Sequence, residues 1–171
     1  MITDIKIKLR DKRLADALDD YAWRTDPELA KLDAAPLLTM AFSQYLSNCA
    51  IELRYPPSTK RSFAIETPDG KHIGNCVYYT ISKIKGEAEL GIVIGNRDYW
   101  GKGYGTDAVT ALLSYIFRQT KLNRIYLKTL NSNRRAQKCF EKCGFTSYGH
   151  MTKDGHDFVL MEMYRKQWEE E

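Results

Sequence analysis

Cysteine and histidine are scarce in this sequence, and neither is grouped in a way that could hold a metal ion. The four cysteines, Cys49, Cys76, Cys139 and Cys143, are too scattered for a disulfide framework. Cys139 and Cys143 are four residues apart, but no His or Cys pair with zinc-ligand spacing accompanies them. We therefore expect no metal site, and we expect the cysteines to be small, buried, apolar residues.

Long apolar runs and runs of basic residues are also absent. The first residues, "MITDIKIKLRDKR", alternate apolar and charged side chains, which matches neither a signal peptide nor a membrane span. The chain carries 26 Lys and Arg against 22 Asp and Glu, a net charge of +4 without a basic arm. We expect a cytoplasmic protein with no membrane or nucleic-acid partner, and its mild positive charge suits a small anionic ligand.

The length and the apolar content favour one folded domain over residues 1–171. Of these residues 43% are apolar and 28% are charged, as in ordinary globular proteins. The periodicity of apolar residues predicts the elements in this order: a strand at 5–9, helices at 14–22 and 36–53, strands at 61–66, 72–81 and 89–95, a helix to about 119, a strand at 124–130, a helix ended by Gly144, and strands at 146–151 and 158–164.

The strand–helix–strand unit over residues 89–130 determines one feature of the sheet. A right-handed crossover makes its two strands parallel, whereas the hairpins around it are antiparallel. The predicted fold class is α/β, with a mixed, mostly antiparallel central sheet that contains one parallel strand pair and is flanked by helices.

The segment "DYWGKGYGTDAV", residues 98–109, places three glycines where a helix begins. The first N–H groups of a helix lack partners and attract anions, and without Cβ atoms a phosphate can reach them. The spacing of Gly101, Gly103 and Gly105 fits neither the P-loop nor the G-x-G-x-x-G dinucleotide fingerprint. The segment is either a pyrophosphate cradle or a loop that merely turns the chain.

Two motifs together resemble the GNAT superfamily of acetyl-CoA-dependent N-acetyltransferases. They are "ELGIVIGNRDYWGKGYGTDAV" and "NSNRRAQKCFEKCGF". The opening "LRDKRLADALDDYAWRTDPELAKLD" is similar to the branch that contains the ribosomal-protein N-terminal acetyltransferases, so the resemblance covers about residues 5–165. It implies a splayed parallel strand pair, acetyl-CoA as co-substrate, and transfer of the acetyl group to a primary amine by direct attack in a ternary complex. Homodimers are common among similar proteins.

The resemblance also implies the residues that bind the cofactor. Gly103 and Gly105 match the small positions of the family's Q/R-x-x-G-x-G/A motif, with Trp100 in its first position. The preceding strand would pair with pantetheine and donate an N–H to the thioester carbonyl. Asn133 would contact pantetheine or would cap a helix. The implied cofactor contacts are Ile92, Val93, Ile94, Trp100, Gly101, Lys102, Gly103, Tyr104, Gly105, Asn133 and Phe140. The neighbouring Lys102, Arg134, Arg135 and Lys138 would bind phosphates or would be solvated.

The sequence defines the catalytic groups less well. Many family members have a Tyr general acid at the position of Phe140, which has no proton to give. Tyr104, Ser132 and Cys139 are alternative donors, or the thiolate leaves unprotonated. Glu89 is the candidate base if its strand face lines the cleft, and a solvent-facing carboxylate if it does not.

Three functions fit these observations. The first is an N-acetyltransferase, whose acceptor the sequence does not identify, although the branch resemblance favours the α-amine of a peptide or protein over a small amine. The second is a non-catalytic acyl-CoA-binding sensor module, which the absence of the Tyr at position 140 keeps open. The third is an interaction protein without cofactor, and the intact glycines argue against it.

Overall fold

The computed structural model describes residues 6–170, which form one seven-stranded sheet and the helices packed on it. The strands are β1 (Lys8–Asp11), β2 (Lys60–Glu66), β3 (His72–Ser82), β4 (Glu87–Ile94), β5 (Arg124–Leu130), β6 (Thr146–Lys153) and β7 (His156–Tyr164). The α-helices are α1 (Ala17–Arg24), α2 (Pro27–Leu32), α3 (Phe42–Arg54), α4 (Tyr104–Gln119), α5 (Arg134–Lys142) and α6 (Arg165–Glu169).

The strand order across the sheet is β1-β2-β3-β4-β5-β7-β6. All neighbouring strands are antiparallel except β4 and β5, which are parallel and joined through α4. The predicted fold class is therefore confirmed. Within residues 6–170, no helix is long and apolar enough to cross a membrane.

The main core lies between the sheet and α4. Six apolar residues at helical spacing on α4 are all buried, at 0–2% exposure: Ala108, Val109, Leu112, Leu113, Ile116 and Phe117. They pack on Cys76, Tyr78 and Leu90, which point from the central strands toward this helix. The opposite face of β3 meets α1, because Asn75 Nδ2 donates to Asp20 Oδ1 at 2.7 Å. The central strands are thus covered on both faces, and β4 lies in the middle of the sheet.

The first predicted helix differs from the observed one in the face that it buries. Leu14 and Leu18, predicted to be inside, are 44% and 66% exposed, whereas Asp16 and Asp20 are buried. Arg10 of β1 donates to both carboxylate oxygens of Asp16, at 2.7 and 2.9 Å. Burial alone would raise the pKa of Asp16, but the hydrogen bonds from Arg10 and from the N–H of Arg13, together with the charge of Lys12, lower that pKa to about 2. The spacing of apolar residues cannot predict a buried carboxylate whose charge is balanced by a cation from a distant strand.

Helix α2 was not predicted, and the second predicted helix begins later than expected. Asp26 caps α2 by accepting hydrogen bonds from the N–H groups of Glu28 and Leu29, and Pro27 occupies its first position. The helix predicted over 36–53 begins at Phe42, because the N–H of Leu38 donates to the carbonyl of Arg24 at 3.2 Å and holds the preceding segment against the end of α1. The predicted first strand began at residue 5, which lies outside the described residues.

Gly74 of β3 permits a close approach that holds β4 in place. A Cβ atom at this position would lie 2.2 Å from the carbonyl oxygen of Val93. Gly74→Ala is therefore expected to lower the free energy of unfolding by about 1–3 kcal/mol, the usual cost of overpacking. Urea denaturation followed by circular dichroism measures this change.

Gly149→Ala is the matched control, because a Cβ atom on this glycine of β6 would make an ordinary 3.8 Å contact with Leu160. It should leave the free energy of unfolding within about 0.5 kcal/mol of the wild type. Equal stability of the two variants would contradict the close approach of β3 and β4.

Candidate functional site

Strands β4 and β5 are paired at one end only. Their register runs from Glu87 opposite Arg124 to Glu89 opposite Tyr126 and then stops. From Leu90 to Ile94, β4 remains paired with β3 on its other side. This segment therefore presents one unpaired edge in the middle of the sheet. Such an edge can form hydrogen bonds with an extended ligand, as an added strand does.

The direction of each backbone group along β4 follows from two contacts. The carbonyl of Val93 lies against Gly74 of β3, and the N–H of Gly95 donates to the carbonyl of Ile73 at 2.9 Å. Because backbone groups alternate in direction along a strand, those of Ile92 and Ile94 face the gap toward β5. Of the three residues predicted to contact the cofactor here, Ile92 and Ile94 thus offer their backbone, whereas Val93 offers its side chain.

The glycine loop ends in an open helix start beside this gap. Gly101 and Gly103 have φ angles of +69° and +87°, which favour glycine because only glycine adopts them without strain. Gly103 precedes the first residue of α4, and no side chain caps the helix there. A Cβ atom would meet nothing within 4 Å at Gly101 and only Lys6 Nζ, at 3.9 Å, at Gly103. The two interpretations of this loop are therefore compatible. The loop needs glycine in order to turn, and the open start of α4 suits an anion.

Trp100 has a different role from the other residues of the glycine loop, whose backbone N–H groups are available to a phosphate. Its backbone N–H donates to the carbonyl of Arg97 at 3.1 Å, so this group is already used within the turn. Its indole Nε1 donates to the carbonyl of Ile94 at 2.6 Å. The guanidinium of Arg135 lies 4.2 Å from the centre of its ring, within cation–π range. Trp100 thus connects the loop to the end of β4 rather than adding an N–H to the cradle.

A cavity of about 330 Å³ joins the strand gap to the helix start. Eight of the eleven predicted cofactor residues line it at these two places: Ile92, Val93, Ile94, Trp100, Gly101, Gly103, Tyr104 and Gly105. Arg135 and Lys138 also line it, whereas Lys102 and Arg134 do not. The structure therefore brings two of the four predicted cations to the cavity wall.

Asn133 and Phe140 approach the same cavity from α5. The Oδ1 atom of Asn133 accepts a hydrogen bond from the N–H of Ala136 at 3.2 Å, so this residue caps the helix. Its Nδ2 donor remains for a ligand. Phe140 is 6% exposed and packs against Phe145, with 5.8 Å between ring centres. Phe140 contributes an apolar wall and no proton.

A second cavity, of about 790 Å³, lies between the sheet and the N-terminal helices. The two cavities meet at the unpaired edge of β4, where eight residues line both: Leu29, Leu32, Asp33, Ile92, Val93, Asn133, Ala136 and Phe140. Asp33, at the end of α2, is the one side chain of this set that can be charged near neutral pH.

Glu89 lies at the narrow end of the strand gap, and it is not a solvent-facing carboxylate. Its side chain is 13% exposed, and its Oε2 accepts hydrogen bonds from Tyr79 Oη and from Lys128 Nζ, both at 2.7 Å. Tyr79 and Lys128 line the second cavity, as does Gly91. The strand face of Glu89 therefore borders that cavity, and the carboxylate holds a tyrosine and a lysine toward it. Burial and the neighbouring Glu89 raise the pKa of the Tyr79 phenol.

The alternative proton donors lie away from Glu89, toward the start of α4. Tyr104 and Cys139 line the first cavity near the start of α4, and none of Tyr104, Ser132 and Cys139 lines the second. The neighbouring Cys143 thiol and a hydrogen bond from Thr106 Oγ1 lower the pKa of Cys139. Sequence reasoning overlooked Tyr79 and Lys128. Strand alternation places each on one face of its own strand, but only the long-range pairing brings both to Glu89.

The comparisons with known proteins point to one family. A family model described as an acetyltransferase (GNAT) domain matches residues 6–146. The uncharacterized N-acetyltransferase p20 of Bacillus licheniformis is 30% identical over 145 residues, which are 84% of this chain and 78% of p20. The putative ribosomal N-acetyltransferase YdaF of Bacillus subtilis (strain 168) is 28% identical over 110 residues, 60% of this chain and 59% of YdaF.

The solved structures agree on the fold. Spermidine N-acetyltransferase from Vibrio cholerae, in complex with CoA and spermine, superposes with a TM-score of 0.87. The superposition covers 96% of this chain and 99% of the other, at 20% sequence identity. At this identity the likeness concerns the fold.

The residues present suit acetyl-CoA as co-substrate. The open N–H groups at the start of α4, with Arg135 and Lys138 nearby, fit a pyrophosphate. The unpaired N–H and carbonyl of Ile92 and the unpaired N–H of Ile94 fit the amides of an extended pantetheine arm. Within the described residues no cluster of His, Cys, Asp or Glu could hold a metal ion.

A thermal melt with acetyl-CoA tests this cradle. At 100 times its dissociation constant the ligand should stabilise the native chain by about 2.7 kcal/mol, roughly 5–10 °C for a chain of this size. In Gly103→Glu the shift should vanish, because a carboxylate would occupy the anion site.

The matched control for this prediction is Gly70→Glu, in the turn between β2 and β3. Gly70 has a similar φ of +91° and equally open surroundings, so this variant has the same backbone strain away from the cradle. It should keep the full shift. Loss of the shift in both variants would show that backbone strain, and not the cradle, accounts for the loss.

Proposed function

Because the chain belongs to the GNAT family of acetyltransferases, we propose that it moves the acetyl group of acetyl-CoA directly to a primary amine within a ternary complex. The observation that carries this proposal is the meeting of the two cavities at the unpaired edge of β4. One cavity suits the cofactor, and the other, larger one is left for an acceptor. A thioester lying along β4 would then be accessible to an amine from the second cavity.

The attack forms a C–N bond and breaks the C–S bond of the thioester. A backbone N–H of Ile92 or Ile94, facing the gap, polarises the carbonyl and stabilises the oxyanion that develops. The amine must lose a proton as it attacks, and Glu89 is the proposed acceptor of that proton, directly or through water. Phe140 donates nothing, so the leaving thiolate departs unprotonated, which a thiol pKa near 8.5 permits.

The acceptor is proposed as the α-amine of a peptide or protein, or as a small amine. One relative is named for ribosomal acetylation, and this motivates the α-amine. One structural neighbour is named for spermidine, so chains of this fold differ in their acceptors.

A non-catalytic acyl-CoA sensor is the second candidate function, and Phe140 in place of the family's usual Tyr is the observation that favours it. Release of free thiol from acetyl-CoA in the presence of a broad amine panel separates the two functions. Turnover supports the enzyme. Tight binding of acetyl-CoA with no thiol release from any amine would establish the sensor.

Glu89→Gln tests the proposed base. A general base contributes about 10²–10⁴-fold to a rate, so kcat should fall by at least about 10-fold. The dissociation constant of acetyl-CoA should change little, because Glu89 does not line the first cavity. Steady-state kinetics and calorimetry measure the two quantities.

Glu87→Gln is the control variant, because Glu87 lies on the same face of β4 and is likewise ion-paired, with Arg124 at 3.0 Å. It should retain wild-type turnover. Wild-type turnover in Glu89→Gln would eliminate Glu89 as the base.

A further inference from the structure

The second cavity has more cationic than anionic side chains on its wall. Within residues 6–170, five lysines and arginines and three carboxylates line it. Two ion pairs account for four of these charges, because Lys12 lies 2.5 Å from Asp20 and Lys60 lies 2.9 Å from Glu52. These pairs neutralise each other and leave little net charge for a ligand to bind.

Lys128 is paired as well, with Glu89 at 2.7 Å, and three charged residues of the wall remain. Arg13, Arg24 and Asp33 have no ion-pair partner within the described part of the chain. Arg24 is at the last position of α1, and Asp33 directly follows α2. The cavity thus presents free charges of both signs.

Asp33 occupies the place where an acceptor amine must arrive, since it lines both cavities at their junction. Its charge is costly to the fold. It lies at the C-terminus of α2, where the helix dipole disfavours an anion. Its side chain is exposed by area, although it lines the concave junction of the two cavities. Loss of solvent around the carboxylate at this junction raises the pKa of Asp33 to about 6, despite the opposing charges of Arg24 and Lys128. A carboxylate kept at such a place is suited to binding a cationic amine.

Arg24 is the second charge near this junction. It lines the same cavity as Asp33, together with Lys128 from β5 and Tyr79 from β3. A guanidinium without a protein carboxylate can bind an external one through two parallel hydrogen bonds. An acceptor whose amine lies at Asp33 therefore shares its cavity with a carboxylate-binding group.

We infer that the acceptor is a zwitterion, a primary amine that carries its own carboxylate, with the amine bound at Asp33 and the carboxylate at Arg24. This inference rests on the proposed function and narrows its acceptor to the amino-acid class. A polycation such as spermidine would meet two unpaired cations on the wall, Arg13 and Arg24, and a single unpaired carboxylate, Asp33. The cavity thus disfavours the kind of acceptor for which the Vibrio cholerae neighbour is named.

The test compares acceptors that differ only in the carboxylate. Initial rates with acetyl-CoA are measured for L-alanine, β-alanine and γ-aminobutyrate, each beside its amide, and for spermidine. At least one acid should exceed its amide about 10–100-fold in kcat/KM, the value of a charge-assisted hydrogen bond, and should exceed spermidine. Arg24→Gln should bring that acid to the level of its amide.

Arg118→Gln, on the exposed end of α4, is the control because it removes a positive charge that does not line the cavity. It should keep the preference for the acid. Amides or spermidine used as well as the acids would overturn the inference, as would an acid preference that persists in Arg24→Gln. No turnover with any amine would overturn the proposed function instead. Calorimetry with CoA present then decides the inference: binding of an acid but not its amide supports it, and equal binding, or none, overturns it.

Asp33→Asn provides a readout that does not depend on turnover. Because folding raises the pKa of Asp33, the wild type loses stability as the pH rises from about 4 to about 6. The Asn variant escapes that loss, so its Tm should exceed that of the wild type at pH 8 and equal it at pH 4. It should also lose affinity for the zwitterion at pH 8. A variant that is no more stable at pH 8, or that binds the zwitterion as tightly, would contradict the assignment of Asp33.

Discussion

The candidate site depends on one feature of the sheet: the pairing between β4 and β5 ends early. A sheet normally satisfies its backbone groups internally, and here the middle of the sheet leaves an edge open from Leu90 to Ile94. Gly74 holds that edge firmly on its other side, and the Trp100 indole occupies its last carbonyl. The strand gap, the glycine loop and the second cavity all lie around this interruption of the β4–β5 pairing.

The same interruption is where the two cavities meet. The first and second cavities share residues only along this edge and on the elements beside it. Asp33 lies there at the end of α2, and Phe140 lies there on α5. The charged cluster of Glu89, Lys128 and Tyr79 lies where the strands are still paired, next to the point of divergence. Destabilising features such as the unfavourably placed Asp33 collect there, as is common where function and stability compete.

Local patterns predicted the parts of the molecule that depend on local physics. The buried face of α4, the parallel pair through it, and the left-handed Gly144 at the end of α5 all follow from periodicity and chain chemistry. The cofactor contacts that the family resemblance implies stay a prediction, and all of them but Lys102 line one cavity, because one loop and one strand carry most of them. Asp16 and Asp20 on the buried face of the first predicted helix were missed, because their cations are Arg10 of β1 and Lys12, which follows that strand. Asp33, Tyr79 and Lys128 come from three elements that only the tertiary structure joins.

Amide hydrogen exchange of β4, followed by NMR with and without acetyl-CoA, tests whether the cofactor pairs with the open edge of this strand. The amides of Ile92 and Ile94 face the open gap, so they should exchange quickly in the free chain and slowly in the complex. The amide of Val93, which faces β3, should be slow in both. Ile92 and Ile94 amides that exchange equally fast when acetyl-CoA is bound would contradict the account, because the cofactor would then lie elsewhere.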